Sequence, residues 1–213
     1  MISYDPKVAR VVAITFEART LRGKRKPAKR HFQQGDLDGL CGVYAIVNAV
    51  AHLCPALAVT DCERLFEVLM GAVRADDERR RPTATRGVER RQLLRLMRTA
   101  FEHVECRHGI ALVVRVVPKA TARAWSLDTL WHFLSARLGD ACVATLGLGG
   151  RYDHWTLATA MTARQIRLRD SDGLHVINRA HCSTRASSQR RITITADMVI
   201  VVCRLKWVEA LRQ

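Results

Sequence analysis

Gln33-Gln34-Gly35-Asp36-Leu37-Asp38-Gly39-Leu40-Cys41-Gly42-Val43-Tyr44-Ala45-Ile46-Val47-Asn48-Ala49 is the stretch on which the reading of this chain turns. It begins as a loop rich in Gly and Asp. At Cys41 it becomes an apolar run in which Val43, Ile46, Val47, Val50 and Leu53 share one helical face. A helix from Cys41 to about Leu53 is predicted, with Pro55 stopping the chain soon after. Cys41 therefore stands where a loop hands over to a buried helix. The start of a helix offers unpaired N–H groups and the positive end of the macrodipole. Both favour a thiolate, the nucleophilic form of cysteine. The Cys41 amide is also placed to help hold an oxyanion. The competing reading is a small core residue at a helix start, since free Cys is commonly buried and inert.

A second stretch decides between them. In Gly149-Gly150-Arg151-Tyr152-Asp153-His154-Trp155-Thr156-Leu157-Ala158-Thr159, a His opens a strand after a Gly-rich turn. Sixteen residues later Asp170 ends the strand-like run Ile166-Arg167-Leu168-Arg169-Asp170, followed by Ser171-Asp172-Gly173. Strand side chains alternate faces. A symmetric four-residue hairpin loop would pair Met161 with Ile166 and put His154 and Asp170 on opposite faces. A three-residue loop, or a bulge, would put them on the same face. Asp172 has the same parity as Asp170 and is an alternative partner for the imidazole.

Taken together, the two stretches resemble the papain-like cysteine peptidases, in which a Gln lies a few residues before a Cys-Gly pair that opens a long central helix. Cys41-Gly42-Val43-Tyr44-Ala45 matches that pattern. The order Cys41, His154, Asp170 is most similar to the bacteriocin-processing peptidases. The family's Gln lies six residues before its Cys. Here that position is Gly35, with Gln34 seven before and Gln33 eight before, so the match takes one extra loop residue. The resemblance implies an α+β fold: a helical half that begins with the Cys helix, packed on an antiparallel β-sheet half that carries the His. It implies a catalytic set of Cys41 as nucleophile, His154 as general base and acid, Asp170 as orienter and Gln34, with Gln33 as the alternative, as oxyanion donor. It implies hydrolysis of a peptide or isopeptide bond, with a ubiquitin-like protein or a leader peptide among the substrate classes. Deamidation and acyl transfer use the same triad. A basic binding module that keeps the fold without turnover is the rival from another class.

The remainder of the chain bounds these readings. Its 213 residues fit a single domain spanning 1–213, long enough for a proper core without disulfide staples. Seven Cys in no regular spacing, and a start without a basic or long apolar leader, point to reduced thiols in the cytoplasm. No apolar run reaches membrane-spanning length. The net charge of +15 favours acidic partners, such as an acidic protein substrate or nucleic acid, although no nucleic-acid motif accompanies it. His103, Cys106 and His108 lie close together, as do His181 and Cys182. Neither group has paired ligand motifs at zinc spacing, and no metal or other cofactor is expected. Cys54, Cys62, Cys142 and Cys203 fall on apolar or helical stretches and read as core thiols.

The other elements follow from pattern. Val8–Phe16 reads as a strand and Arg19–His31 as a basic loop. Thr60-Asp61-Cys62-Glu63 has capping-box spacing before a helix faced by Leu65, Phe66, Leu69, Met70 and Val73. Residues 74–86 read as a charged connection. Leu93, Met97, Phe101 and Val104 mark a third helix. A strand over 111–117 precedes a helix capped by Ser126, with Leu127, Leu130, Trp131 and Leu134 inward. Strands follow over 142–148, 155–161 and 166–170, then a loop over 182–191, then a last strand over 192–203. Helices followed by strands suggest α+β.

Overall fold

The structure is a computed structural model that describes residues 32, 39–77, 87–185 and 190–205. The expected strand over 8–16, the basic loop over 19–31 and both Gln33 and Gln34 lie outside the described residues.

The chain is α+β, with a helical segment first and a mainly antiparallel sheet after it. Helix α1 runs over Cys41–Leu53, α2 over Val59–Asp77 and α3 over Arg90–His108. Strand β1, Leu112–Val116, follows, then two short helices, α4 over Lys119–Ala122 and α5 over Leu127–Ser135. The strands β2 (Cys142–Gly150), β3 (His154–Met161), β4 (Gln165–Arg169), β5 (Val176–Asn178), β6 (Cys182–Ser183), β7 (Ile192–Thr193) and β8 (Val199–Arg204) follow among the described residues. The sheet order is β1-β8-β2-β3-β4-β5, every neighbour antiparallel. β6 and β7 form a short parallel pair at the end of β2.

Alternation along the strands divides the core between the two faces of the sheet. Val143, Trp155, Leu157, Ile200 and Val202 pack against α1, α2 and α3. Leu146, Ala158, Ile166, Leu168, Val199 and Val201 pack on the other face, with Leu130, Trp131 and Leu134 of α5. β8 is covered on both faces, which is why its sequence is apolar at every position from Val199 to Cys203. α1 is sheathed almost all round: besides its expected apolar face, Gly42, Ala45, Asn48 and Ala49 are buried as well. Arg204 donates from Nη1 to the Leu53 carbonyl at the far end of this helix.

Several expectations are met and several are corrected. Ser126 caps α5 by accepting the Thr129 amide. α2 does not begin at Thr60, which lies inside the helix. Asp61 instead reaches back to accept the Ala58 amide at 2.9 Å, the same device set two residues earlier. α2 also continues through Arg74 to Asp77, so the start of the expected connection is helical. The last strand is broken: β7 ends at Thr193, a 3-10 turn over Ala196–Met198 intervenes, and β8 starts at Val199. The break falls where alternation gives way to a continuous apolar run, as the chain passes from the end of β2 to its side. Cys142 and Cys203 are not free core thiols. They face each other in the β2–β8 register and form a disulfide, leaving Cys41, Cys54, Cys62, Cys106 and Cys182 as thiols. No helix among the described residues is long and apolar enough to cross a membrane.

Candidate active site

Cys41 is the first residue of α1, and its side chain is 6% exposed. The preceding residue, Leu40, has no side-chain acceptor, and the first turn carries no carboxylate. The positive end of this helix is therefore not neutralised from within. The amides of Val43 and Tyr44 both bond back to the Leu40 carbonyl, at 2.8 and 3.1 Å, which fixes the turn that presents the sulfur.

Two contacts explain the residue that follows the nucleophile candidate. A Cβ added at Gly42 would lie 2.9 Å from Val88 Cβ and 3.1 Å from Leu93 Cδ1. A side chain at Gly42 would push the segment before α3 away from the start of α1. That segment is held from the other side, because the Trp155 indole donates to the Val88 carbonyl at 2.6 Å. Trp155 also donates its backbone N–H to Cys41 Sγ at 3.4 Å. The aromatic after His154 thus binds three pieces together: the start of β3, the segment around Val88 and the Cys41 sulfur. Neither Val88 nor these roles of Trp155 were anticipated. The His-Trp dipeptide was the available signal, since a buried indole N–H needs an acceptor.

His154 opens β3 with its side chain 12% exposed. Its Nε2 lies 2.7 Å from Asp170 Oδ2, and the Cys41 side chain is near enough to the ring to help raise its pKa. Burial opposes a charged imidazole here. The hydrogen bond to Asp170 and the nearby Cys41, with the negative charge they bring, outweigh burial and push the His154 pKa up to about 10. Asp170 is fully buried, directly after β4. Burial would raise its carboxyl, but the hydrogen bonds from His154 and the Leu174 amide, with the imidazole charge, hold it below its usual range. Its Oδ1 accepts the amides of Asp172 at 2.9 Å and Leu174 at 3.1 Å. These lock the carboxylate so that Oδ2 faces the ring.

The sequence left two ways to bring His154 and Asp170 to one face. The β3–β4 hairpin does pair Met161 with Ile166 across a four-residue loop, with Thr162 N donating to Gln165 O at 2.7 Å. That register alone would separate the two side chains. A bulge between Ala158 and Ala160 shifts the pairing by one residue, and Leu157 then faces Arg169. Continuing the register sets Asp170 opposite Thr156, on the same face as His154. Asp172 is exposed and supplies its backbone amide to Asp170 rather than a carboxylate to the ring.

Cys41, His154 and Asp170 thus converge from α1, β3 and the end of β4, while Gln34 lies outside the described residues. Among the described residues no group of three His, Cys, Asp or Glu side chains is arranged to hold a metal ion. A nucleophile beside an imidazole whose far nitrogen is held by a buried carboxylate suits acyl transfer to sulfur. Comparison of the chain with protein-family models, with curated proteins and with solved structures finds no match.

Proposed function

We propose that this chain is a papain-like cysteine peptidase that cleaves a peptide or isopeptide bond through Cys41, His154 and Asp170. The observation that carries the reading is the imidazole of His154, 2.7 Å from a buried Asp170, beside a Cys41 sulfur that accepts the amide of the next residue, Trp155, at 3.4 Å. In this reading Cys41 Sγ attacks the carbonyl carbon. The oxyanion is met by the amide at the head of α1 and by Gln34. His154 protonates the leaving amine, and the acyl group remains on sulfur as a thioester. Water, deprotonated by His154, then releases the acid. Asp170 keeps the ring oriented and stabilises its positive charge throughout. The substrate is a protein or peptide, and the charge of +15 favours an acidic one, with ubiquitin-like proteins and leader peptides as the classes to try first.

The test is a proteome-derived peptide digest with wild type beside Cys41→Ala. New termini that appear with wild type and vanish with the variant support a peptidase. A mass increase of about 1 Da at Gln side chains would assign a deamidase. Transfer of the acyl group to an added amine would assign an acyltransferase. No change in any product, with tight binding of an acidic polymer, would replace the enzyme with a binding module.

A further inference from the structure

Trp155 stands second in β3, opposite Gly147 of β2, and is 5% exposed. Its indole is held on three sides. A Cβ added at Gly147 would lie 3.0 Å from Trp155 Cζ3 and 2.9 Å from Met198 Cε, so the bare glycine lets the ring lie across β2 beside Met198. The third hold is the Val88 carbonyl, which accepts the indole N–H. A ring packed in this way fixes the backbone that carries it. β3 pairs with β4 only from Leu157 onward, so the Trp155 amide lies beyond that ladder. Its N–H goes instead to Cys41 Sγ at 3.4 Å. A buried amide needs an acceptor, and a neutral thiol is a weak one. A thiolate is a better one, because hydrogen bonds to an ionised partner are about twice as strong as neutral ones. The bond therefore favours the charged sulfur, and it comes from β3, apart from both the imidazole and the head of α1.

We infer that the Trp155 backbone amide is a catalytic group of this site: it holds the charge of the Cys41 thiolate before attack and receives it again when the acyl group leaves the sulfur. This rests on the peptidase reading above and adds to it a donor for the leaving thiolate. In the release step water, losing a proton to His154, forms a C–O bond to the thioester carbon. The tetrahedral oxyanion collapses, the C–S bond breaks and its electron pair goes to Sγ, where the Trp155 N–H meets it. A sulfur held in this way leaves faster. It also attacks more slowly once ionised, since nucleophilicity falls as the thiolate is stabilised, with a Brønsted slope of about 0.4–0.5. The two effects have opposite signs, and a structural amide would show neither.

The amide can be removed alone by incorporating the α-hydroxy analogue of Trp155, which turns the peptide bond after His154 into an ester and keeps the indole. The same ester at Thr156 is the control: it removes a buried strand amide and leaves the sulfur its donor. Losing a hydrogen bond to a charged sulfur lowers the thiolate population by roughly 10- to 100-fold, and the gain in nucleophilicity returns about half of that on a logarithmic scale. Iodoacetamide is attacked at its CH₂; an S–C bond forms as iodide leaves. The Trp155 ester should react with it roughly three- to tenfold more slowly than wild type at the acid end of the pH profile, where the thiol is protonated. On the alkaline plateau, where both sulfurs are ionised, it should react roughly three- to tenfold faster. After acetylation of Cys41 by p-nitrophenyl acetate, with loss of p-nitrophenolate, the Trp155 ester should release acetate more slowly than wild type, so that acetyl-enzyme accumulates.

The same change on both limbs, or the same profile for the two esters, would make the amide a structural group and overturn the inference. If the Trp155 ester does not fold, ¹⁵N-labelled wild type decides. The Trp155 amide proton should move downfield along the alkylation profile and should not do so in Cys41→Ala; a stationary proton overturns the inference. A wild type that alkylates fastest at another cysteine would remove the peptidase reading and the amide's role together. Parallel limbs in a protein that does cut peptides would remove the amide's role alone, and crossed limbs in one that cuts none would remove the peptidase reading alone.

Discussion

At the scale of single residues, Asp170 and Asp172 divide between them what the sequence offered as one choice. Asp170 gives its Oδ2 to His154, and Asp172 gives its amide to Asp170. Asp170→Asn should therefore lower kcat, by less than the roughly 10⁴ lost by the equivalent change in a serine-protease triad. A thiol is a stronger nucleophile than a hydroxyl and needs less help from the ring. Asp172→Asn keeps the amide and should be near wild type. Steady-state kinetics of the pair decides it, and a loss confined to Asp172→Asn would reassign the orienter. The imidazole makes a second expectation. Its pKa is raised from 6.5 to about 10, so the stability it contributes is full below about pH 6.5 and is lost as pH climbs through about 10. Asp170 has the opposite sign: its contribution holds above the usual carboxylate range and is lost as acid carries pH below its depressed value. Urea midpoints from pH 6 to 11 should fall for wild type and flatten for His154→Ala. Imidazole resonances in Cys41→Ala should titrate at lower pH than in wild type, because one of the partners holding the proton is gone. Cys54 and Cys182, each pushed up to about 11 by burial, should remain silent to alkylation at neutral pH.

At the scale of elements, the Cys41 helix and the His154 strand were legible because each carries its own local signal. A loop rich in Gly and Asp turning into a 3.6-residue apolar period marks α1, and a Gly-Gly turn before alternating residues marks β3. The bulge in β3 was not legible. Ala158-Thr159-Ala160 carries no glycine or proline, and its geometry is imposed by the faces its neighbours must fill: Leu157 on the α1 side, and Ile166 and Leu168 on the α5 side. Deleting Thr159 removes the extra residue and inverts every side chain on one side of it. The deletion should abolish cooperative folding, whereas Thr159→Ser, which keeps the residue count, should change stability by less than about 1 kcal/mol. Thermal melts of the two variants test this, and a folded deletion with an intact His154–Asp170 pair would show that the bulge does not set the register. The pair of bonds by which the buried Asn48 side chain holds the Phe32 backbone, at 2.9 and 3.0 Å, was equally hidden. In the sequence Asn48 is one polar residue in an apolar run, and only its partner, Phe32, gives it meaning.

At the scale of the whole molecule, element order in the sequence already suggested α+β, but the path of the sheet did not follow from it. The strand written last is not at an edge: β8 lies between β1 and β2. Cys142 and Cys203 were read as separate core thiols because nothing local pairs two cysteines 61 positions apart. Only the β2–β8 register brings them together. Closing a loop of that length stabilises the fold by about 4 kcal/mol through the entropy of the unfolded chain. Denaturant midpoints with and without a thiol reductant should differ accordingly, and identical midpoints would show that the bridge adds nothing. The position of β8 also governs timing. During synthesis, the helix bearing Cys41 emerges long before His154, and β1 and β2 must wait for residues 199–204 to pair through the strand between them. A chain cut short of that point carries Cys41, His154 and Asp170 but lacks the middle of its sheet. Only a chain read through to Arg204 has every strand of this sheet, so its middle is the last part that can close.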